Sequence, residues 1–173
     1  MRILQRKSFL AVIMVMSLAL TGCASKSEKS DGSNSDSADS MMADAGENFN
    51  LELNGTSDEN SAGPLKTIYF DFNSSSLSTS GRATLEENAT FLKMTESVDI
   101  QIEGHADERG GHQYNLALGE RRARTVKDYI VALGVNEARV SIISYGKEKP
   151  VSFGHDEESW SKNRRATFVI TAK

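Results

Sequence analysis

The stretch "GHADERGGHQYNLALGERRA", residues 104–123, decides how the chain is read. Just upstream, residues 97–105 alternate Val98, Ile100 and Ile102 with polar neighbours. That period of two predicts a strand with one buried face. Just downstream, Leu116, Gly119, Ala123, Val126, Ile130 and Leu133 recur at spacings of three and four. This predicts a helix from about residue 113 to 133 with a buried stripe, and Gly134 falls where such a helix places its C′ residue. Between the two lies a turn that holds Asp107 beside Gly110 and Gly111. Glycines let a backbone turn tightly and approach a ligand. The unit is strand, acidic glycine turn, helix, with Arg122 on the helix beside the buried stripe.

The same reading extends in both directions. Residues 65–73 place Ile68, Phe70 and Phe72 on one side, a first strand. A serine-rich loop full of candidate N-caps follows, then a helix over residues 82–94 with Leu85, Ala89 and Leu92 inward. Residues 138–146 read as a third strand, Asp156 starts a short helix to about residue 163, and residues 164–172 form a last strand with Ala166, Phe168 and Ile170 on one side. The order βαβαβ, a short α and a final β makes an α/β fold. Helices between strands are crossover connections, so part of the sheet is parallel.

The ends of the chain have a different character. Residues 1–22 combine Arg2, Arg6 and Lys7 with the apolar run 9–20. Twelve residues fall short of the roughly 20 that a membrane-spanning helix needs, and the pattern is that of a secretory signal. It ends on "LTGC", which resembles the lipobox of bacterial lipoproteins and implies cleavage before Cys23 and acylation of that cysteine. Cys23 is the chain's one cysteine, so no internal disulfide exists. Ala24 follows it where an aspartate would imply inner-membrane retention, which points to the outer membrane. Residues 23–63 hold nine serines and nine acids against two lysines. So little apolar surface cannot offset the entropy of ordering, and the expectation is a tether. It would measure about 35 Å as a coil and at most about 140 Å stretched. Residues 64–173 then form one domain with 15 acids and 15 bases. That neutrality argues against a nucleic-acid partner, which demands a basic excess.

The domain's charges suggest chemistry without fixing it. Asp107 and Arg122 offer an anion and a cation, yet they could equally pair with one another or with Glu108 and Glu120. His105, Asp107 and His112 do not make a metal site, which needs three or four converging ligands. No G-x-S-x-G elbow supplies a nucleophile. Glu103 and Asp107 could in principle cut a glycan, which keeps a hydrolase as the alternative of a different class.

Three motifs in order, "GHADERG…YNLALGERRA", "SYGKEKP" (144–150) and "GHDEESWSKNRRA" (154–166), resemble the peptidoglycan-associated lipoproteins of the OmpA-like C-terminal domain family. The resemblance covers essentially all of residues 64–173. It implies a mixed four-stranded sheet with helices packed on one face, no catalysis and no cofactor beyond the lipid on Cys23. It further implies non-covalent binding of peptidoglycan through the meso-diaminopimelate of its stem peptide, with TolB and possibly TolA as partners at the outer membrane and during cell division. By the family pattern Asp107 takes the ligand ammonium and Arg122 its carboxylate. Arginine suits that task because its planar fork binds a carboxylate with two parallel bonds. Leu118 and Asn115 flank Arg122 on the helix, with Asn115 expected to cap it or fix the turn. Phe72 and Asn73 form the opposite wall. Asn73 stands where a common pattern has aspartate, so a backbone contact is expected there rather than a charge. One of Arg164 and Arg165 supports the groove, Trp160 packs, and the charges of "DERG" and "SYGKEKP" are candidates to face TolB. The closest rival is a wall-binding lipoprotein of the same family outside the Tol system.

Overall fold

The computed structural model describes residues 51–173. The predicted signal, residues 1–22, and the lipid attachment at Cys23 lie outside the described residues.

The elements follow the predicted order: β1 (Ile68–Tyr69), α1 (Thr79–Met94), β2 (Asp99–His105), α2 (His112–Ala132), a 3-10 turn (Glu137–Arg139), β3 (Val140–Gly146), α3 (Glu157–Asn163) and β4 (Arg165–Ala172). The sheet order is β1-β4-β2-β3. β2 runs parallel to β3 and antiparallel to β4, and β1 is antiparallel to β4. The architecture is a mixed four-stranded α/β sheet, as expected.

Local chemistry explains the boundaries. Ser78 caps α1 by accepting from the Gly81 N–H at 3.0 Å, so that helix starts one turn before the hydrophobic pattern does. Asp156 caps α3 through the Ser159 N–H at 2.8 Å. α2 ends in a Schellman motif: the Val135 N–H donates to the Ile130 carbonyl and the Gly134 N–H to that of Val131. Leu85, Ala89 and Leu92 of α1 join Ala123, Val126 and Ile130 of α2 over Ile100, Ile102, Phe168 and Ile170 of the sheet in one core. The α2 helix lies unusually close to β2. A Cβ on Gly104 would stand 1.9 Å from the Gly119 carbonyl oxygen, and one on Gly119 would meet the Gly104 carbonyl at 2.7 Å. Two glycines facing each other allow backbone-to-backbone contact that any side chain would prevent. This contact sets Leu118 and Arg122 directly beneath the end of β2.

Two expectations need correction. The first strand is paired only at Ile68 and Tyr69. Past them, the Phe70 N–H still reaches the Arg164 carbonyl at 2.9 Å, but the chain then turns away through Asn73, whose φ is 54°. The second concerns the start of the domain. Residues 51–63, read as tether, fold onto β4 instead. The Asn54 and Ser57 N–H groups donate to Ile170 and Phe168 carbonyls at 2.8 and 2.9 Å, and Ala62 is fully buried. The segment extends the edge that β1 leaves uncovered. It is locked by Asp58, whose carboxylate accepts from Arg165 Nε at 2.6 Å, Thr67 Oγ1 at 2.7 Å and Thr167 Oγ1 at 2.9 Å. A polar segment without a core of its own is ordered by backbone pairing and one ion pair to a buried arginine, neither of which composition reveals.

Candidate ligand-binding site

The turn after β2 and the first turns of α2 enclose a cavity of about 220 Å³. Phe72, Asn73, Asp107, Asn115, Leu118 and Arg122, the six residues expected to converge, all line it. Tyr114 and Arg109 complete it. Gly110, at φ 92°, makes the backbone reversal that brings Asp107 round to face α2, a conformation that a side chain would strain.

Asp107 is buried and accepts three hydrogen bonds. Arg109 Nη2 donates at 2.6 Å, the Arg109 backbone N–H at 3.1 Å, and Arg164 Nη1 at 3.4 Å. Burial alone would raise the carboxyl pKa, but the bonds and charge of Arg109, with help from Arg164, outweigh it and hold Asp107 below its ordinary 3.8. It is an anion at all physiological pH values. Arg109 is itself clamped. Its guanidinium lies 4.1 Å from the Phe72 ring and 4.0 Å from the Trp160 ring, a double cation–π contact. Trp160 therefore packs, as expected, and packs on the site. Its Nε1 also donates to Glu108 at 2.8 Å.

Arg122 is fully buried, and its guanidinium is tied to backbone. Nε donates to the Ser74 carbonyl at 2.8 Å, Nη1 to that of His105 at 2.7 Å, and Nη2 to that of Asp71 at 3.1 Å. Arginine has five N–H donors, so each terminal nitrogen keeps one more. Burial lowers its pKa to about 10, still far above neutrality. Among the described residues Asp107 and Arg122 do not pair with one another, nor with Glu108 and Glu120, the partners that the sequence alone left open: Asp107 is held by arginines and Arg122 by carbonyls.

The remaining residues are placed as follows. Asn115 donates from Nδ2 to the Arg109 carbonyl at 2.9 Å and fixes the turn. It does not cap α2, whose N-cap is Gly111 with no side-chain bond. Tyr114 Oη donates to Asn73 Oδ1 and closes the cavity mouth. Arg164, rather than Arg165, supports the groove: its Nε donates to the Phe70 carbonyl at 3.0 Å. His105 turns to the opposite face of the sheet and stacks on Tyr145, while His112 pairs with Glu148, so neither joins Asp107. Arg109 and Tyr114 were not expected at the site: the charges of "DERG" were expected to face TolB, and the tyrosine of "YNLALGERRA" had no role, because charge and aromatic type alone give no hint of direction.

An arrangement of this kind suits a small zwitterion: a fixed anion and a fixed cation across a cavity floored by Leu118. The model of the OmpA family matches residues 69–164, which contain every one of these side chains. A peptidoglycan-associated lipoprotein of Pseudomonas aeruginosa is 39% identical over 95% of this chain and 97% of its own length. The chain belongs to the OmpA family and, within it, to the peptidoglycan-associated lipoproteins. The Rhizobium meliloti lipoprotein of the same name is 41% identical over 92% of this chain and 85% of that one. The crystal structure of the Burkholderia pseudomallei peptidoglycan-associated lipoprotein, 46% identical, superposes with a TM-score of 0.60 over 62% of this chain and 93% of that one. The C-terminal domain of Helicobacter pylori MotB, at 22% identity and a TM-score of 0.59 over 62% and 85% of the two chains, shares the OmpA fold.

Proposed function

We propose that this lipoprotein binds peptidoglycan non-covalently by the diaminopimelate of its stem peptide and so links the outer membrane to the wall. The observation that carries the reading is the cavity with the buried Asp107 carboxylate on one side and the buried Arg122 guanidinium on the other. Diaminopimelate in a stem peptide carries a free ammonium and a free carboxylate on one carbon, the charge pair this cavity complements. The ammonium takes the remaining acceptor site of Asp107, and the carboxylate takes the unused N–H groups of Arg122 and the backbone near Phe72 and Asn73. Because Arg122 is fixed by three carbonyls, its charge needs no reorganisation when ligand arrives. The peptidoglycan-associated names of the relatives support the same ligand.

Acylated Cys23 holds the other end in the outer membrane, with the domain in the periplasm. TolB, and TolA with it, engage the surface beside the cavity. Here Lys147 Nζ donates to the Glu108 and Gly110 carbonyls at 3.3 and 3.0 Å and joins the "DERG" and "SYGKEKP" segments into one charged face. That surface would serve envelope integrity and constriction at division. A hydrolase reading is disfavoured because Glu103, the carboxyl that would work with Asp107, lies beside His105 and does not line the cavity.

The test is calorimetric titration of the full chain with a diaminopimelate tripeptide and with its lysine counterpart, which lacks the side-chain carboxylate. Binding of the first and at least tenfold weaker binding of the second is expected, the loss of one charge-assisted contact. Equal affinities would remove the site assignment, and release of new fragments would make the protein an enzyme. Capture of purified TolB distinguishes a Tol component from a wall-binding lipoprotein outside that system.

A further inference from the structure

A larger hollow lies beside the acid-lined cavity. It encloses about 500 Å³ between the end of β1, the start of α1 and α3. Tyr69, Asp71, Ser76, Ser78, Ser80 and Ser161 are among its walls. The run from Phe70 to Asn73 separates the two cavities: Phe70 and Asp71 line the larger, Phe72 and Asn73 the smaller.

Its chemistry differs from its neighbour's. The walls are dominated by hydroxyls, and Ser78 and Ser80 share a bond at 3.0 Å. Lys162 and Arg164 also border the cavity, but Lys162 is held by Glu158 at 2.8 Å and Arg164 by Asp107 and Glu157, so both charges are compensated. Asp71 places an exposed carboxylate there that has no partner among the described residues, and neither the Tyr69 nor the Ser76 hydroxyl has one. Tyr69 is 55% exposed and presents its ring. A carboxylate without a free cation repels anions. An apolar ligand would strip water from hydroxyls and give nothing back. What fits is a neutral molecule rich in hydroxyls, with a flat C–H face for the tyrosine ring and neighbouring O–H donors for the acceptor-only carboxylate. The volume lies in the range of small-ligand sites.

We propose that this groove seats the amino-sugar strand from which the stem peptide hangs. The proposal rests on the diaminopimelate reading of the neighbouring cavity and extends the recognised unit from peptide to glycan. The dividing run turns at Asn73, so the two cavities adjoin across it. The three residues from sugar to diaminopimelate reach about 10 Å when extended, long enough for a stem peptide seated at Asp107 to place its sugar end at Asp71 and Tyr69.

The experiment titrates the full chain with three probes: the free diaminopimelate tripeptide, the same tripeptide on its N-acetylated disaccharide, and the disaccharide alone. The disaccharide-tripeptide is expected to bind about tenfold more tightly than the free tripeptide, the effect of two hydrogen bonds of ordinary net strength. Tyr69→Ala and Ser76→Ala should each shrink that ratio and leave free-tripeptide affinity unchanged. Equal affinity for the two peptides, or variants that keep the full ratio, overturns the glycan groove while the peptide site stands. If the tripeptide does not bind at all, the peptide reading falls. The groove is then judged on the disaccharide alone at millimolar concentration. Amide shifts confined to residues 69–80 sustain it, and their absence ends it.

Discussion

Arg122→Lys keeps the positive charge and about the same length, yet it should unfold the domain far more readily than its conservative character suggests. The wild-type guanidinium joins three carbonyls from two separate segments: Asp71 and Ser74 in the loop between β1 and α1, and His105 at the end of β2. A lysine ammonium is a single point and cannot reach three directions at once. At least two carbonyls lose their donor. Hydrogen bonds to charged groups contribute about 1.5–3 kcal/mol each. Two of them give roughly 3–6 kcal/mol, and water entering from the adjoining cavity reduces this to about 3–4 kcal/mol. For a domain of this size that lowers Tm by roughly 10–20 °C. The assay is thermal and urea unfolding followed by circular dichroism, with wall co-sedimentation measured well below the lowered Tm. A variant melting within about 2 °C of the parent would refute the view that Arg122 is a structural tie, and would leave it solely a ligand contact.

Asp107→Asn makes the complementary case. The one amide oxygen can accept from the Arg109 and Arg164 guanidiniums, but the amide NH2 then faces the Arg109 backbone N–H where Oδ1 accepted it, so stability should fall by about 1–3 kcal/mol, while affinity for a diaminopimelate peptide falls about 10–100-fold by calorimetry. The same carboxyl sets an acid limit: its folded pKa lies below its unfolded 3.8, so its contribution is fully present above that pH and disappears as pH falls through the folded value. Wall binding should be flat from pH 8 to about pH 5 in a co-sedimentation series. Burial depresses His105 below its ordinary 6.5, so stability in urea should decline as pH drops below that value, and His105→Gln should flatten the decline. Asp58→Ala leaves the buried Arg165 without its carboxylate, and should cost about 3 kcal/mol and speed hydrogen exchange at the Asn54 and Ser57 amides.

The elements most legible in the sequence were those with a clean period. Residues 97–105 and the α2 stripe carried their burial pattern openly, and strands and helices fell in the predicted order. The paired span of β1 was not legible, because Phe70 and Phe72 keep the alternation after the ladder has ended. Phe72 turns out to serve the cavity and stands 59% exposed. The strap over residues 51–63 was hidden for a different reason. Its order comes from backbone bonds to β4 and from Asp58 on Arg165, and local composition carries no trace of a partner more than a hundred residues away. At the site, the membership of the cavity could be expected from the family motifs, but the division of labour could not. Periodicity marks a side chain as inward; it does not say whether an inward arginine meets a ligand or a carbonyl.

That division of labour recurs across the domain and bears on how the site works. Arg139 is used in the same manner as Arg122: it donates to the Leu92, Thr95 and Val98 carbonyls where α1 ends. Arg164 reaches the Phe70 carbonyl, again at a point where a strand gives out. Chain segments that leave a helix or a short strand expose carbonyls with no ladder to join, and a guanidinium can gather several of them because its donors point in fixed, different directions. With so short a first strand, this replaces the missing ladder. It also makes the cavity rigid. The carbonyls that hold Arg122 sit next to the walls of the cavity in the chain: Asp71 and Ser74 bracket Phe72 and Asn73, and His105 precedes Asp107 by two residues, so moving the cation means moving the walls. The site's geometry and the domain's stability thus depend on one group, and a substitution there cannot impair one without the other.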